Sequence, residues 1–168
     1  MSEPGVEIRF ARETESSLVS SVLVEAATWI ANSGAPIWPI EQLSADAIAA
    51  DVAARRFVVA VAGTEVVATA RLTREDPECW PEAMAGVAAY VHRIAVRRTW
   101  AGRGLPRVIL AWCEKQAQEL GSSYLRLDCD AMRPKLCRLY EGLGFQFHSE
   151  RSVGQYTVAR YERAVRSG

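Results

Sequence analysis

One segment constrains the fold of this chain more than any other: a strand-like apolar run changes into a basic, glycine-containing turn and then into an amphipathic helix. It reads VHRIAVRRTWAGRGL from Val91 to Leu105, and the helical pattern continues to about Leu120. A glycine turn at a helix N-terminus presents backbone N–H groups where the helix dipole favours negative charge. Because glycine has no side chain, the backbone there can approach phosphate oxygens closely. The segment therefore predicts a site for a phosphorylated ligand.

Hydrophobic periodicity predicts strands and helices along the whole chain. The predicted strands are residues 6–10, 56–62, 66–72, 87–96, 124–129, 145–150 and 155–161. The predicted helices are residues 15–32, ended by Gly34 and Pro36, 44–54, with Ser44 as N-cap, 105–120, capped by Gly121, and 134–143. Their order, β-α-α-β-β-β-α-β-α-β-β, predicts an α+β or mixed α/β fold. We expect a central twisted mixed sheet of about six to seven strands, flanked by about four helices.

Length and side-chain spacing predict one domain with a substantial core. The chain has 168 residues, of which 49% are hydrophobic, and we expect a single domain over residues 1–168. Trp29, which belongs to the first predicted helix, is predicted to lie in the core. The buried face of the third helix is predicted to comprise Leu105, Val108, Ile109, Trp112 and Leu120.

Charge and cysteine usage argue against several classes of protein. Twenty basic residues balance twenty acidic ones, which argues against a dedicated nucleic-acid-binding protein. No Cys-x-x-Cys pair occurs, and His92 and His148 do not flank the four cysteines at metal-ligand spacing, so no metal is expected. Neither a signal peptide nor an apolar run of roughly 20 residues is present, so we expect no membrane partner. A cytoplasmic protein with reduced thiols is the expectation.

Three motifs in order, together with the element order, resemble the GNAT superfamily of acetyl-CoA-dependent N-acetyltransferases. They are Arg93-Ile94-Ala95-Val96 followed by Ala101-Gly102-Arg103-Gly104-Leu105, then Leu125-Arg126-Leu127-Asp128-Cys129, then Leu139-Tyr140-Glu141-Gly142-Leu143-Gly144-Phe145. The resemblance extends from about Phe57 to Phe147, and the flanks agree in element order only. Three motifs at the right spacing are more specific than any one of them.

The resemblance implies a GNAT-like acyl-CoA N-acyltransferase fold with acetyl-CoA as cosubstrate. The central parallel strands are expected to splay apart, helped by a bulge in the first, so that pantetheine pairs with backbone groups of Ile94 and Val96. The pyrophosphate is expected on the N–H groups of Gly102, Arg103 and Gly104. The full set of expected cofactor-binding residues is Ile94, Ala95, Val96, Arg97, Arg98, Ala101, Gly102, Arg103, Gly104, Leu105 and Arg133. Ala101 stands where the family has Arg or Gln, and Pro106, which has no N–H, stands where it has Gly or Ala.

Tyr140 is the catalytic residue that the resemblance implies. A neutral amine attacks the thioester, and the departing thiolate gains from a nearby proton donor such as a phenol. The alternative is that Tyr140 only packs on the sheet. Glu82, His92 and Asp128 are candidate general bases by residue type, whereas Cys129 is expected to be a packed thiol.

The residues expected to bind the acceptor are Trp38, Trp80, His92 and Asp128. Trp38 follows the first helix, and Trp80 lies in the polar loop of residues 76–85. Aromatic walls there suit a cation–π contact with an amine, and Asp76, Glu78 and Glu82 would attract a cation. A homodimer is expected from the exposed edge strands after Phe145.

These observations predict an N-acetyltransferase that acts on a primary amine of a small-molecule or peptide acceptor. Ala101 and Pro106 motivate a different class, a non-catalytic acyl-CoA-binding or regulatory module. A nucleotide-binding protein using the same glycine turn is a third alternative, although the chain lacks the complete phosphate-loop and dinucleotide motifs.

Overall fold

A seven-stranded mixed sheet with four α-helices makes up the computed structural model over the residues it describes, 5–33 and 38–166. The strands are β1 (Val6–Phe10), β2 (Phe57–Ala62), β3 (Glu65–Thr73), β4 (Ala88–Val96), β5 (Tyr124–Asp130), β6 (Gln146–Val153) and β7 (Tyr156–Ala164). The α-helices are α1 (Ser16–Ser33), α2 (Ala45–Ala53), α3 (Leu105–Glu119) and α4 (Pro134–Gly142). The predicted fold class and element order are confirmed, with ends that differ by a few residues. The predicted helix terminators Gly34 and Pro36 lie outside the described residues.

Strand order places the last hairpin with its second strand inside the sheet. The order is β1-β2-β3-β4-β5-β7-β6, so β6 is an edge strand. Strands β4 and β5 are parallel, which requires a crossover connection, and α3 supplies it. Their ladder comprises Ala88–Tyr90 against Tyr124–Arg126, and the remaining residues of both strands lie beyond it.

By packing, the chain divides into two compact units. The described residues of Met1–Arg71 and Arg93–Leu110 form unit 1, and those of Leu72–His92 and Ala111–Gly168 form unit 2. In unit 1, the buried stripe of α1 packs with the uniformly apolar strand β2; this stripe comprises Val19, Val22, Leu23, Ala26 and Ala27. In unit 2, Trp80 packs with Ala88 and Tyr90.

Two predicted core residues are exposed, which corrects the sequence-based prediction. Trp29 is 46% exposed at the margin of the apolar stripe of α1, and the guanidinium of Arg98 lies 3.7 Å from its ring centroid. Leu120 is 45% exposed because α3 ends one residue earlier, where Gly121 adopts a left-handed conformation with φ +76°. Both positions fit the helical pattern at its edge, where spacing cannot separate core from surface.

Within the described part of the chain, no helix combines the length and the apolar character needed to cross a bilayer.

Candidate active site

The glycine turn before α3 leaves a helix N-terminus open to solvent. Gly102 and Gly104 have φ of +78° and +76°, in the left-handed region that disfavours other residues. Nothing lies within 4 Å of a Cβ built on either glycine, so the turn needs them for backbone conformation and not for close packing. The carbonyl of Gly104 accepts the N–H of Val108, which begins the hydrogen-bond pattern of the 15-residue helix. The positive end of the helix dipole therefore faces open space, as a phosphate site requires.

The three arginines beside this turn differ in what they already contact. The Arg97 guanidinium donates to Ser21, Glu25 and the Val66 carbonyl, so it holds the turn to α1 and β3. Arg98 donates its backbone N–H to Glu25 at 2.8 Å, and its side chain lies over Trp29.

Arg103 lies in the exposed part of the turn. Its guanidinium is 4.4 Å from the ring centroid of Trp100. Arg103 is thus better placed than Arg97 to meet an anion, because the charge of Arg97 is balanced by a carboxylate. Leu105 anchors the start of α3 with a fully buried side chain, and Ala101 is exposed.

Strand β4 has an irregular backbone conformation at Arg93. Arg93 has φ +52°, a conformation that costs a non-glycine residue on the order of 1–2 kcal/mol. Its side chain donates to Gln42, and burial lowers its pKa. Beyond it, Ala95 lies in the core of unit 1, while Ile94 and Val96 are partly buried. The pantetheine contacts predicted for Ile94 and Val96 stay a prediction.

Tyr140 is a buried phenol of α4 in unit 2. Its ring packs edge-on against Phe145, with centroids 6.3 Å apart. No described residue accepts a hydrogen bond from its hydroxyl. Burial, followed by the neighbouring Cys129 and Asp128, raises the pKa of Tyr140 above its usual value. The phenol therefore carries its proton at neutral pH, as a general acid must.

Cys129 lies near Cys137, with 3.6 Å between the two sulfur atoms. Burial is the main reason that the pKa of Cys129 is raised, so it remains a thiol at neutral pH. The interpretation as a packed thiol agrees with this environment.

Arg133 stands at the N-cap position of α4. Its side chain approaches Asp130 at 3.6 Å, and its backbone N–H donates to the Asp130 carbonyl. Both contacts are local, so Arg133 helps to shape the turn between β5 and α4. Its predicted role in cofactor binding stays a prediction.

The side chains of Asp76, Cys79 and Asp128, here called the acidic cluster, converge in unit 2. One possible ligand atom of each lies within 4.8 Å of the others. Asp76 accepts the backbone N–H of Cys79 on Oδ1, and the nearby Asp128 carboxylate contributes to raising the pKa of the Cys79 thiol. Burial and then the charge of Asp76 raise the pKa of Asp128 to about 6. Burial likewise raises the pKa of the Cys79 thiol, so the cluster holds two carboxyl groups and a neutral thiol.

His92 borders the acidic cluster from β4. Its Nε2 atom lies 3.2 Å from the Thr73 hydroxyl and 3.9 Å from Asp76 Oδ2. Two of the predicted acceptor residues, His92 and Asp128, are thus linked through Asp76. By contrast, Glu82 is exposed, and its carboxylate pairs with Arg160. A backbone hydrogen bond and Arg160 lower the pKa of Glu82, so it is a weak candidate for a base.

Trp80 is only 3% exposed, and cations from the chain itself cover its ring. The guanidinium groups of Arg126 and Arg160 lie 4.3 and 4.7 Å from its centroid, and the His148 ring is 4.9 Å away. A cation–π contact between Trp80 and a substrate amine would have to displace these arginines. Trp80 does line a cavity of about 230 Å³, together with Glu82, Ala83, Met84, Val87, Arg126 and His148. Trp38 belongs to unit 1, where it is half-buried against the core.

Sequence reasoning missed Cys79, Arg126 and Arg160 as neighbours of the predicted acceptor residues. Arg126 and Arg160 are placed by the register of β5 against β7, which sets Arg126 opposite Glu162 and Asp128 opposite Arg160. One local sequence signal indicates that Cys79 lies beside Asp76. An aspartate before a proline, as in Asp76-Pro77, favours a turn in which the aspartate side chain accepts the N–H of a later residue, here Cys79.

Comparison of the sequence with known proteins identifies a family and a relative. A family model described as Acetyltransferase (GNAT) family matches residues 23–145. The uncharacterized N-acetyltransferase YesJ of Bacillus subtilis is 25% identical over 144 residues, covering 82% of this chain and 80% of YesJ.

Solved structures share the fold over nearly their full length. A GNAT-family acetyltransferase from Listeria monocytogenes superposes with a TM-score of 0.80 at 21% identity, covering 98% of each chain. The putative acetyltransferase yncA of Salmonella typhimurium, solved with acetyl-CoA, superposes with a TM-score of 0.73 at 16% identity, covering 97% of this chain and 95% of its own. The fold is thus shared at low sequence identity.

Proposed function

The chain belongs to the GNAT acetyltransferase family, and from this premise we propose how its residues carry out acetyl transfer. The protein is an N-acetyltransferase that uses acetyl-CoA as cosubstrate and an amine as acceptor. This membership favours an enzyme over the non-catalytic binding module. The amine nitrogen forms a bond to the acetyl carbon, the carbon–sulfur bond breaks, and the electron pair stays on sulfur.

The turn before α3 is the proposed pyrophosphate site. The observation that carries this proposal is the open helix N-terminus, held by two glycines in the left-handed conformation. The N–H groups of Gly102, Arg103 and Gly104 would donate to phosphate oxygens, and the exposed Arg103 would add charge. Pro106 removes one N–H of the first helical turn, so these three donors matter more here than they would with glycine at that position.

Tyr140 is the proposed general acid for the departing thiolate. Its raised pKa keeps it protonated, and among the described residues its hydroxyl has no acceptor that would compete for the proton. Because the phenol has no existing hydrogen bond to a described residue, it can donate its proton to the sulfur as negative charge develops there. The backbone near Ile94 is the proposed donor that polarises the acetyl carbonyl.

The proposed acceptor is a primary amine of a small molecule or peptide. Trp38, Trp80, His92 and Asp128 are the proposed acceptor-site residues. Support comes from the acidic cluster, which favours a cation, and from the cavity that Trp80 lines.

We also propose a cytoplasmic, single-domain homodimer. Four free thiols, of which Cys129 and Cys137 are close yet unbridged, support a reducing compartment. The edge position of β6 and the 55% exposure of its Phe147 support pairing of two copies at this edge.

A turnover assay tests the function. Acetyl-CoA is incubated with the protein and a panel of alkylamines, amino acids and peptides, and thiol release is measured. We expect release that depends on one class of amine, together with heat on titration of CoA. No CoA binding in calorimetry would overturn the proposal.

A further inference from the structure

Two cysteine thiols of unit 2 lie side by side where β5 is followed by α4. Cys129 is the next-to-last residue of β5, and Cys137 lies near the start of α4. Their sulfur atoms are 3.6 Å apart. The Cys137 sulfur is 4.0 Å from the Asp130 carbonyl oxygen, so the sulfur of Cys129 is its nearer hydrogen-bonding neighbour. The two residues are here called the cysteine pair.

The geometry of the cysteine pair suits a disulfide bond. The sulfur–sulfur distance in a disulfide is about 2.05 Å, so the two sulfurs must approach each other by about 1.5 Å. Both side chains can contribute to this approach, because a cysteine sulfur changes position when its χ1 rotamer changes. A small movement of α4 toward β5 supplies the rest. The bond therefore forms without unfolding either element.

The other two cysteines are not paired in this way. Cys113 is fully buried in α3, and Cys79 is half-buried in the loop before β4. Among the residues that the structure describes, neither has a second sulfur as a hydrogen-bonding neighbour. A specific disulfide is therefore expected at the cysteine pair, and Cys113 offers a matched control.

The two members of the cysteine pair differ in access and in protonation. Cys137 is half-buried, whereas Cys129 is 7% exposed. Burial, followed by the neighbouring Cys137, raises the pKa of Cys129, so this residue stays a thiol at neutral pH. A small oxidant from solvent therefore meets Cys137 first, and Cys129 is placed to react with the oxidised sulfur afterwards.

Tyr140, the proposed general acid, lies next to the cysteine pair. It follows Cys137 by three residues on α4, so the two side chains project from the same face of the helix. After burial, Cys129 is the largest cause of the raised pKa of Tyr140, which places these two side chains together as well. A movement of the start of α4 toward β5 displaces the phenol. A displacement of about 1 Å at a reacting group can lower a rate about 10²-fold.

We propose that the cysteine pair is a redox site: a peroxide converts Cys129 and Cys137 into a disulfide, and this bond slows acetyl transfer by displacing Tyr140. The disulfide follows from the positions of the two sulfurs and needs no activity of the protein. The effect on acetyl transfer rests on the proposed function. A small dithiol reduces the bond again by thiol–disulfide exchange, so the modification is reversible.

Atoms and electrons balance in two steps. In the first step, the Cys137 sulfur attacks one oxygen of hydrogen peroxide, the oxygen–oxygen bond breaks, and a sulfenic acid and water form. In the second step, the Cys129 sulfur displaces the hydroxyl group from the Cys137 sulfur, and the proton of Cys129 leaves with that group as a second water. The two sulfurs lose two electrons, and the peroxide takes up both.

Thiol counting is the first test. The whole reduced chain is exposed to excess hydrogen peroxide, freed of peroxide, unfolded, and titrated with an aromatic disulfide reagent. We expect the four thiols to fall to two, a peptide map that links Cys129 to Cys137, and recovery of all four thiols with dithiothreitol.

Two variants make the count specific. Cys113→Ala keeps the cysteine pair, so its three remaining thiols should fall to one. Cys137→Ser lacks one member of the pair and should keep all three of its thiols after the same exposure. Four thiols in peroxide-treated wild type, or a sulfinic acid at Cys137 without a link to Cys129, would overturn the proposal.

Turnover before and after oxidation is the second test, with an amine that the reduced protein acetylates and the product measured by mass spectrometry. The kcat of wild type should fall about tenfold or more with the disulfide and return after dithiothreitol. Cys137→Ser should start near the wild-type kcat and keep it after peroxide. Hydrogen exchange should show changed protection of the α4 amides in oxidised wild type and unchanged protection in Cys137→Ser.

The outcomes separate this inference from the proposed function. If the disulfide forms and kcat does not change, the cysteine pair does not control acetyl transfer, and the proposed function stands. If the reduced protein acetylates no amine and binds no CoA, the proposed function fails, and the thiol count still decides whether the disulfide forms. Should Cys137→Ser not fold, as judged by circular dichroism, Cys137→Ala takes its place, and the peptide map of wild type needs no variant.

Discussion

Glu15 shows how one buried side chain ties two elements together. Its carboxylate accepts two hydrogen bonds from the Arg9 guanidinium, at 2.7 and 2.9 Å, and a third from the backbone N–H of Arg12. These interactions lower the pKa of Glu15 to about 2, the Arg9 hydrogen bond being the largest cause. Glu15 thus joins β1 to the start of α1 within unit 1.

Replacing Glu15 by Gln should destabilise the protein in a pH-dependent way. The folded-state pKa lies below the unfolded value, so the carboxylate stabilises the fold above about pH 4.5, and this contribution is lost as pH falls toward 2. We expect a loss of about 2–3 kcal/mol at pH 7, by urea unfolding, that shrinks between pH 4.5 and pH 3. An equal loss at both ends of that range would contradict the role of the charge.

Replacing Tyr140 by Phe should remove the acid and spare the fold. We expect kcat to fall about 10²-fold while acetyl-CoA affinity and melting temperature stay near wild type, since the hydroxyl has no acceptor among the described residues. Tyr156→Phe is the matched control, because Tyr156 is 52% exposed at the start of β7. Undiminished turnover in Tyr140→Phe would exclude the acid role.

Among the elements, the turn before α3 has an ordinary backbone conformation but lies at the N-terminus of a helix. Its glycines have the same left-handed conformation as Gly63 in the β2–β3 hairpin, which has φ +62° and open space around a built Cβ. What distinguishes the turn before α3 is the helix dipole behind it.

Replacing Gly104 by Ala tests that distinction. Alanine in the left-handed conformation costs about 1–2 kcal/mol, so the turn should shift and CoA should bind about tenfold more weakly in calorimetry. Gly63→Ala carries the same backbone cost and should lower stability without changing CoA affinity. Equal CoA affinity in both variants would mean that the turn does not hold the cofactor.

At the scale of the whole molecule, the chain segments that form each unit bear on whether the protein unfolds cooperatively. Each unit is built from two separate chain segments, so neither is a contiguous piece of sequence. This construction supports our proposal that the chain is a single domain.

A single cooperative domain predicts a shared response to a local defect. Leu127, in β5 of unit 2, is 2% exposed, and Leu127→Ala should cost about 2–5 kcal/mol. In hydrogen exchange, the most protected amides of β2 in unit 1 should lose protection by the same free energy as those of β5. Loss confined to unit 2 would show that the units unfold separately.

The sequence by itself determined the elements, their order and the family. Periodicity of apolar residues, the Ser44 cap and the Gly121 cap act over a few residues, and each predicted helix and strand and both caps are present. The motifs around Gly102 and Tyr140 are likewise contiguous runs of sequence.

Only the tertiary structure decided which distant side chains meet. Asp76, Cys79 and Asp128 come together because a loop folds against β5, and Arg160 stands opposite Asp128 because of the register between β5 and β7. Trp80 was predicted to face a substrate cation, yet its ring is covered by Arg126 and Arg160. Such contacts depend on strand register and loop closure between residues far apart in the chain, and no local pattern encodes either.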